Sequence, residues 1–74
     1  MNLYCLEKSF FGAYIEHSID FFKSKRKVEK ELKRFYSSYR PEEILQYRKD
    51  KFLYIHNKNL GSLTVYRIQK MELK

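Results

Sequence analysis

Two hydrophobic periods alternate along the chain. "NLYCLEK", residues 2–8, is a short β-prone stretch, and "SFFGAY" follows it with Gly12 placed to turn the chain. Over residues 13–22, "AYIEHSIDFF", the alternation is clean. Ile15, His17, Ile19 and Phe21 fall on one face, and Tyr14, Glu16, Ser18 and Asp20 on the other. A period of two predicts a half-buried strand with the Ile15 face turned to the core. The two strands together predict a hairpin around Phe10–Gly12.

At Lys23 the period changes. Val28, Leu32, Phe35 and Tyr39 recur at i, i+4, i+7 and i+11, with Tyr36 at the margin, which is the stripe of an amphipathic helix. Ser24 is its predicted N-cap. Glu29 stands four residues before Lys33, the favourable order for an ion pair. Pro41 restricts the residue before it, so the helix should end near Tyr39 or Arg40. "PEEILQYR" then reads as a second short helix, with proline at its first position and Glu42 and Glu43 in its first turn. Ile44, Leu45 and Arg48 would set its face. "FLYIH", residues 52–56, is a strand. "NKNLG" is a turn in which Asn57, Asn59 and Gly61 suit left-handed backbone. "SLTVYRIQKMEL", residues 62–73, is a β-prone run strongest from Leu63 to Ile68, with a helix as its alternative. The order predicts a single α+β domain over residues 1–74: a small antiparallel sheet of two hairpins (ββαββ) packed on one amphipathic helix.

Length narrows what holds such a domain together. A chain of 74 residues buries only about 60% of the surface it exposes when unfolded, so aromatic packing or self-association has to supplement the core. Thirteen residues are Tyr or Phe, more than so small a core hides, and a homodimer is compatible with spare aromatics and sheet edges. Cys5 is the single cysteine, which excludes an internal disulfide, fits a reducing compartment and reads as a small buried hydrophobe. No basic-then-apolar leader opens the sequence, and no apolar run approaches a membrane span. The expectation is a cytoplasmic protein with no membrane partner. Two Gly and one Pro leave no linker-like tract.

Charge changes the picture most. Sixteen Lys and Arg face nine Asp and Glu, a formal charge of +7, and such an excess favours a polyanionic partner. In "KSKRKVEKELKRFYSSYR", residues 23–40, eight cations accompany two carboxylates. The helical projection puts Arg26, Lys30, Lys33 and Arg34 opposite the apolar stripe, with Lys27 at the margin. Lysine and arginine neutralise phosphates, while tyrosine stacks on unpaired bases. The candidate binding residues are therefore Arg26, Lys27, Lys30, Lys33 and Arg34 for charge, with Tyr36 and Tyr47 as anchors. Arg40, Arg48, Lys49 and Lys51 are candidates to extend the ridge. A solvated helix face is the plainer account of any charge run, but a merely solubilising face mixes signs more evenly.

Catalytic chemistry finds little footing. His17 and His56 are the only histidines, and no zinc or EF-hand spacing occurs, so no metal or cofactor is expected. His17 reads as a core or boundary histidine on the apolar face of its strand, and His56 as a surface residue. No serine sits in a nucleophile elbow. One enzyme class stays open, a metal-independent ribonuclease in which His56, Tyr54, Tyr66 and Arg67 meet across the second hairpin.

"MNLYCLEKSFFGAY", followed by a strand and then "KSKRKVEKEL", resembles in layout the small accessory proteins of tailed phages. Many of these open on a Met-x-Leu-Tyr strand, turn at Gly-x-Tyr and enter a Lys/Glu-rich helix. The resemblance covers the first half of the chain and carries over no site residue. It implies a non-enzymatic host-takeover or anti-defence protein, including the anti-CRISPR type, acting in the cytoplasm of a bacterial host. A basic chain does not mimic DNA, so such a protein would hold nucleic acid or a nucleoprotein, or occupy an acidic protein surface. The expected function is thus a small binding protein engaging nucleic acid or nucleoprotein through its basic helix face. The alternative is a protein-directed inhibitor docking a host enzyme by its sheet face or edge.

Overall fold

A computed structural model describes residues 2–72. Strands β1 (Asn2–Phe11) and β2 (Ile15–Phe22) lead into helix α1 (Lys25–Ser38). A 3-10 turn, Pro41–Glu43, then opens strands β3 (Ile44–Arg48), β4 (Phe52–Asn57) and β5 (Ser62–Glu72). All pairings are antiparallel in one sheet of order β2-β1-β5-β4-β3. The architecture is α+β, as the sequence predicts, but the order is ββαβββ rather than ββαββ.

The extra strand replaces the expected second helix. Between Pro41 and Arg48 there are too few residues to offset the cost of helix nucleation. Only Pro41–Glu43 turn, with the Glu43 carboxylate accepting from the Arg40 N–H at 3.4 Å. Ile44 then pairs with Ile55, and the register shifts before Gln46 meets Tyr54. That irregularity lets Ile44 and Tyr47 both pack against the core while Leu45 stands exposed.

Helix α1 forms as its pattern requires. Ser24 Oγ accepts the Lys27 N–H at 3.2 Å, and Tyr39 ends the helix in extended backbone one residue before Arg40-Pro41. Val28 and Leu32 are fully buried against Leu6, Leu53, Ile55 and Tyr66, with Phe35 and Tyr39 packed beside them. The expected Glu29–Lys33 pair does not form; Glu31 bonds Arg34 instead, three residues on. The phenol of Tyr66 is the hub of this core. Its hydroxyl lies 3.0 Å from that of Tyr39, Phe35 stacks on its ring at 4.6 Å, and the Lys8 ammonium stands 5.8 Å from its centroid. Burial, and then the bond to Tyr39, push the Tyr66 pKa far above the ordinary phenol value.

The turns refine the expectation. The first hairpin bends later than expected, at residues 12–14, where a side chain on Gly12 would meet the Phe10 ring at 3.0 Å. In the β4–β5 turn only Gly61 is left-handed, at φ +63°. Asn57 serves differently, its side-chain oxygen accepting the N–H groups of Asn59 and Leu60. Within residues 62–73 the strand reading holds for Ser62–Glu72, and residue 73 lies outside the described residues.

One expectation is reversed. β2 is an edge strand, and its register (Leu6 opposite Asp20, Cys5 opposite Phe21) puts Ile15, His17, Ile19 and Phe21 on the face away from α1. Ile15 is 77% exposed and Phe21 60%. His17 is therefore no core histidine; it is exposed, with Nε2 3.7 Å from a Glu7 carboxylate oxygen. Alternation identifies which residues share a face, but the helix chose the other one, where Tyr4, Leu6, Tyr66, Leu53 and Ile55 gather. Cys5, on the open face, is buried as expected.

Candidate functional site

Helix α1 lies across the sheet with its apolar stripe down, so the geometry of a 3.6-residue repeat points Arg26, Lys30 and Lys33 away from the protein. All five candidate cations, Arg26, Lys27, Lys30, Lys33 and Arg34, are exposed. Residues 23–40 carry eight cations and two carboxylates, a net +6 of the chain's +7. Within α1 itself six cations face two carboxylates, a net +4, with Lys23 and Arg40 flanking the helix, so more than half of the net charge sits on this one element. Arg34 is the most constrained of the five. Its Nε donates to a Glu31 carboxylate oxygen at 3.0 Å, and its guanidinium lies 4.8 Å from the Phe35 ring. The Glu31 hydrogen bond holds the guanidinium even more firmly protonated than usual.

Lys27, Lys30, Lys33 and Arg34, with the Arg34-bound Glu31 carboxylate among them, line an open groove of about 560 Å³ that has Phe22, at the end of β2, in its wall. A groove with cations on its rim and an aromatic ring in its wall offers phosphate contacts beside an apolar surface. Arg26 lies outside this groove.

The two tyrosine anchors do come together, but elsewhere. Tyr36 stacks on Tyr47 with centroids 4.0 Å apart and planes 11° apart. This contact fastens α1 to β3, whereas the cationic groove opens toward β2, and β2 and β3 are opposite edges of the sheet. Partial burial, followed by the nearness of Tyr36 and Glu29, raises the Tyr47 pKa. Each ring thus has one face already occupied by the other. The aromatic residue that accompanies the charges is Phe22, which the sequence reading missed. Its signal was present: it lies one residue before the basic run, on the last position of β2.

The suggested extension of the ridge is dispersed. Arg40 lines a separate cavity of about 520 Å³ with Glu42, Glu43 and His56, where acids offset it. Arg48 pairs across from Phe52 on the open sheet face, and Lys49 and Lys51 sit in the β3–β4 turn.

The residues of the ribonuclease alternative do not converge. Tyr66 points into the core under α1, whereas its chain neighbour Arg67 falls on the opposite face. Tyr54 and His56 share that open face, opposite Val65 and Leu63, but His56 lies four cross-strand rows from Arg67. Among the described residues, no cluster of three or more His, Cys, Asp or Glu is placed to hold a metal ion, and no helix is long and apolar enough to cross a membrane. No protein-family model matches the sequence, and comparison with curated proteins and with solved structures returns no match.

Proposed function

We propose that this chain is a non-enzymatic binding protein that holds nucleic acid, free or in a nucleoprotein, on the outward face of α1. The observation that supports the reading is the concentration of charge: α1 carries six cations against two carboxylates, a net +4 of the chain's +7, and its opposite face is locked into the core. Lys27, Lys30, Lys33 and Arg34 around the Phe22 groove make the centre of the contact, and Arg26 adds charge at its margin. Tyr36 and Tyr47 act as a fastening between helix and sheet, which holds the cationic face rigid. In the setting that the N-terminal layout suggests, the chain is a phage-type accessory inhibitor or regulator in the bacterial cytoplasm, and its target is the nucleic acid of a host nucleoprotein.

The test is fluorescence anisotropy of a labelled oligonucleotide with the full chain. Reversal of two cations, Lys30→Glu with Lys33→Glu, weakens binding at least about tenfold at low salt. The same change in net charge placed at Lys49 and Lys58, exposed in the β3–β4 and β4–β5 turns, has a much smaller effect. Equal losses from the two pairs would show that net charge alone attracts the oligonucleotide, and would refute a helix-face site.

A further inference from the structure

The open face of the sheet has the composition of a covered surface. Where an antiparallel sheet leaves one face to water, its strands alternate apolar and polar residues cleanly. Here the long central strands are apolar on both faces. β1 offers Leu6 to the helix and Leu3, Cys5 and Phe11 to the open side. β5 offers Tyr66 and Ile68 to the helix and Leu63, Val65 and Met71 to the open side. On the outer strands Ile15, Ile19 and Phe21 continue the open patch on β2, and Phe52 stacked on Tyr54 continues it on β4. Exposed patches of this extent mark contact surfaces.

We infer that this open face binds a second copy of the same chain, forming a two-fold dimer in which the two sheets pack face to face and the two α1 helices point outward. Area supports it. The four strands in contact, β1, β2, β4 and β5, have 10, 8, 6 and 11 residues. At about 3.3 Å per residue and about 4.8 Å between strands they present roughly 550 Å² per copy, about 1,100 Å² for the pair, just above the roughly 1,000 Å² a specific interface needs. Charge supports it as well. The helix-bearing side is strongly basic and repels its own copy, whereas the open face carries both signs, with Glu7 directly across the β1–β5 pairing from Arg67. Arg67 has no carboxylate within 4.0 Å among the described residues, although Glu7 is its cross-strand neighbour.

Glu7 already has His17 Nε2 at 3.7 Å and accepts from Gln69 Nε2 at 3.5 Å, so Arg67 is the charge left to pair. A two-fold axis running between β1 and β5, parallel to the strands, brings it a carboxylate. It sets each Glu7 on the other copy's Arg67, because the two sit at equal distances on either side of the axis. The same operation lays β4 on the partner's β2, with Phe52 over Ile19. It also lays Val65 over Ser9, where a cleft of about 160 Å³ lined by Glu7, Ser9, Phe11, Val65 and Arg67 opens at the β1–β5 boundary. β3, whose open-face residues are the polar Gln46 and Arg48, overhangs the contact and forms part of its rim. Such a dimer carries two basic helices on opposite outer surfaces and bridges two nucleic-acid segments. That bridging rests on the helix-face reading above, whereas the dimer itself does not.

Sedimentation equilibrium of the full 9.2 kDa chain tests the dimer without any ligand. The expected result is a dimer at micromolar concentration. Ile19→Lys should weaken it at least about a hundredfold, while Leu45→Lys and the helix double variant K30E/K33E leave it unchanged. Glu7→Arg and Arg67→Glu should each be folded monomers by circular dichroism, since like charges then face each other. Mixed one to one, the two variants should form a heterodimer, because every contact between positions 7 and 67 across the axis then joins opposite charges. A wild-type chain that stays monomeric, a dimer indifferent to Ile19→Lys, or a mixture of the charge variants that fails to associate would each overturn the proposal. A monomeric wild-type chain would leave this face to a different protein. Loss of oligonucleotide binding with the dimer intact would refute the helix-face reading alone.

Discussion

On one face of the sheet Leu6, Leu53, Ile55 and Tyr66 lie beneath α1, closed to solvent; on the other Phe11, Ile15, Ile19 and Phe21 stand open. Both sets are apolar and belong to one sheet, with β1 contributing Leu6 to the first and Phe11 to the second. What separates them is the helix, whose stripe of Val28, Leu32, Phe35 and Tyr39 fills only one side. Hydrophobic residues therefore do two jobs in this small domain. Those under α1 hold the monomer together, and those opposite are available for association. The charges divide in the same way. Helix α1 carries a net +4 of the chain's +7, while Glu7 and Arg67 sit side by side at the centre of the open face.

The largest test of this division is a matched pair of truncations. Leu32→Ala removes a fully buried side chain and should cost about 2–5 kcal/mol, a large part of the stability of a domain this size. Ile15→Ala, on the open face, should cost under about 0.5 kcal/mol in dilute solution. Urea unfolding measures both, and comparable losses would erase the distinction between the faces.

A smaller effect separates the core from its surface by pH. Tyr66 stays protonated in the folded chain well above the value near 10 at which an unfolded tyrosine ionises. Between those two values the unfolded state binds fewer protons than the folded state, so stability falls as pH rises above about 10. Tyr66 contributes up to about 1.4 kcal/mol per pH unit to that slope. Tyr66→Phe removes this contribution and also the hydroxyl bond to Tyr39, worth about 0.5–1.5 kcal/mol at neutral pH. Unfolding curves at pH 7 and above pH 10 should therefore show a less stable but less alkali-sensitive variant.

Local chemistry made much of the fold legible in the sequence. The cap at Ser24, the stripe from Val28 to Tyr39 and the stop at Pro41 are set within one helix, and they appear as expected. The last run is a strand, as Leu63 to Ile68 indicate. What escaped depends on long-range pairing. β3 exists because β4 offers it an edge, and its register shift conceals the alternation of Ile44 and Tyr47. The side of β2 that meets the core depends on where α1 settles, which the period of two does not encode. The candidate site was legible to the same extent. The cations stand outward on α1 as projected, but Tyr36 turns toward β3 and the charged groove toward β2, a separation set by the strand order.

The central claim is that the outward cations of α1 contact phosphates, and the salt dependence of oligonucleotide binding tests it most directly. If three to five phosphates are neutralised, log K falls against log salt with a slope between roughly −2 and −4.5. Lys30→Gln with Lys33→Gln should flatten that slope by one to two units, about 0.7–0.9 for each cation removed. A wild-type slope near zero, or a slope unchanged in the double variant, would contradict the account.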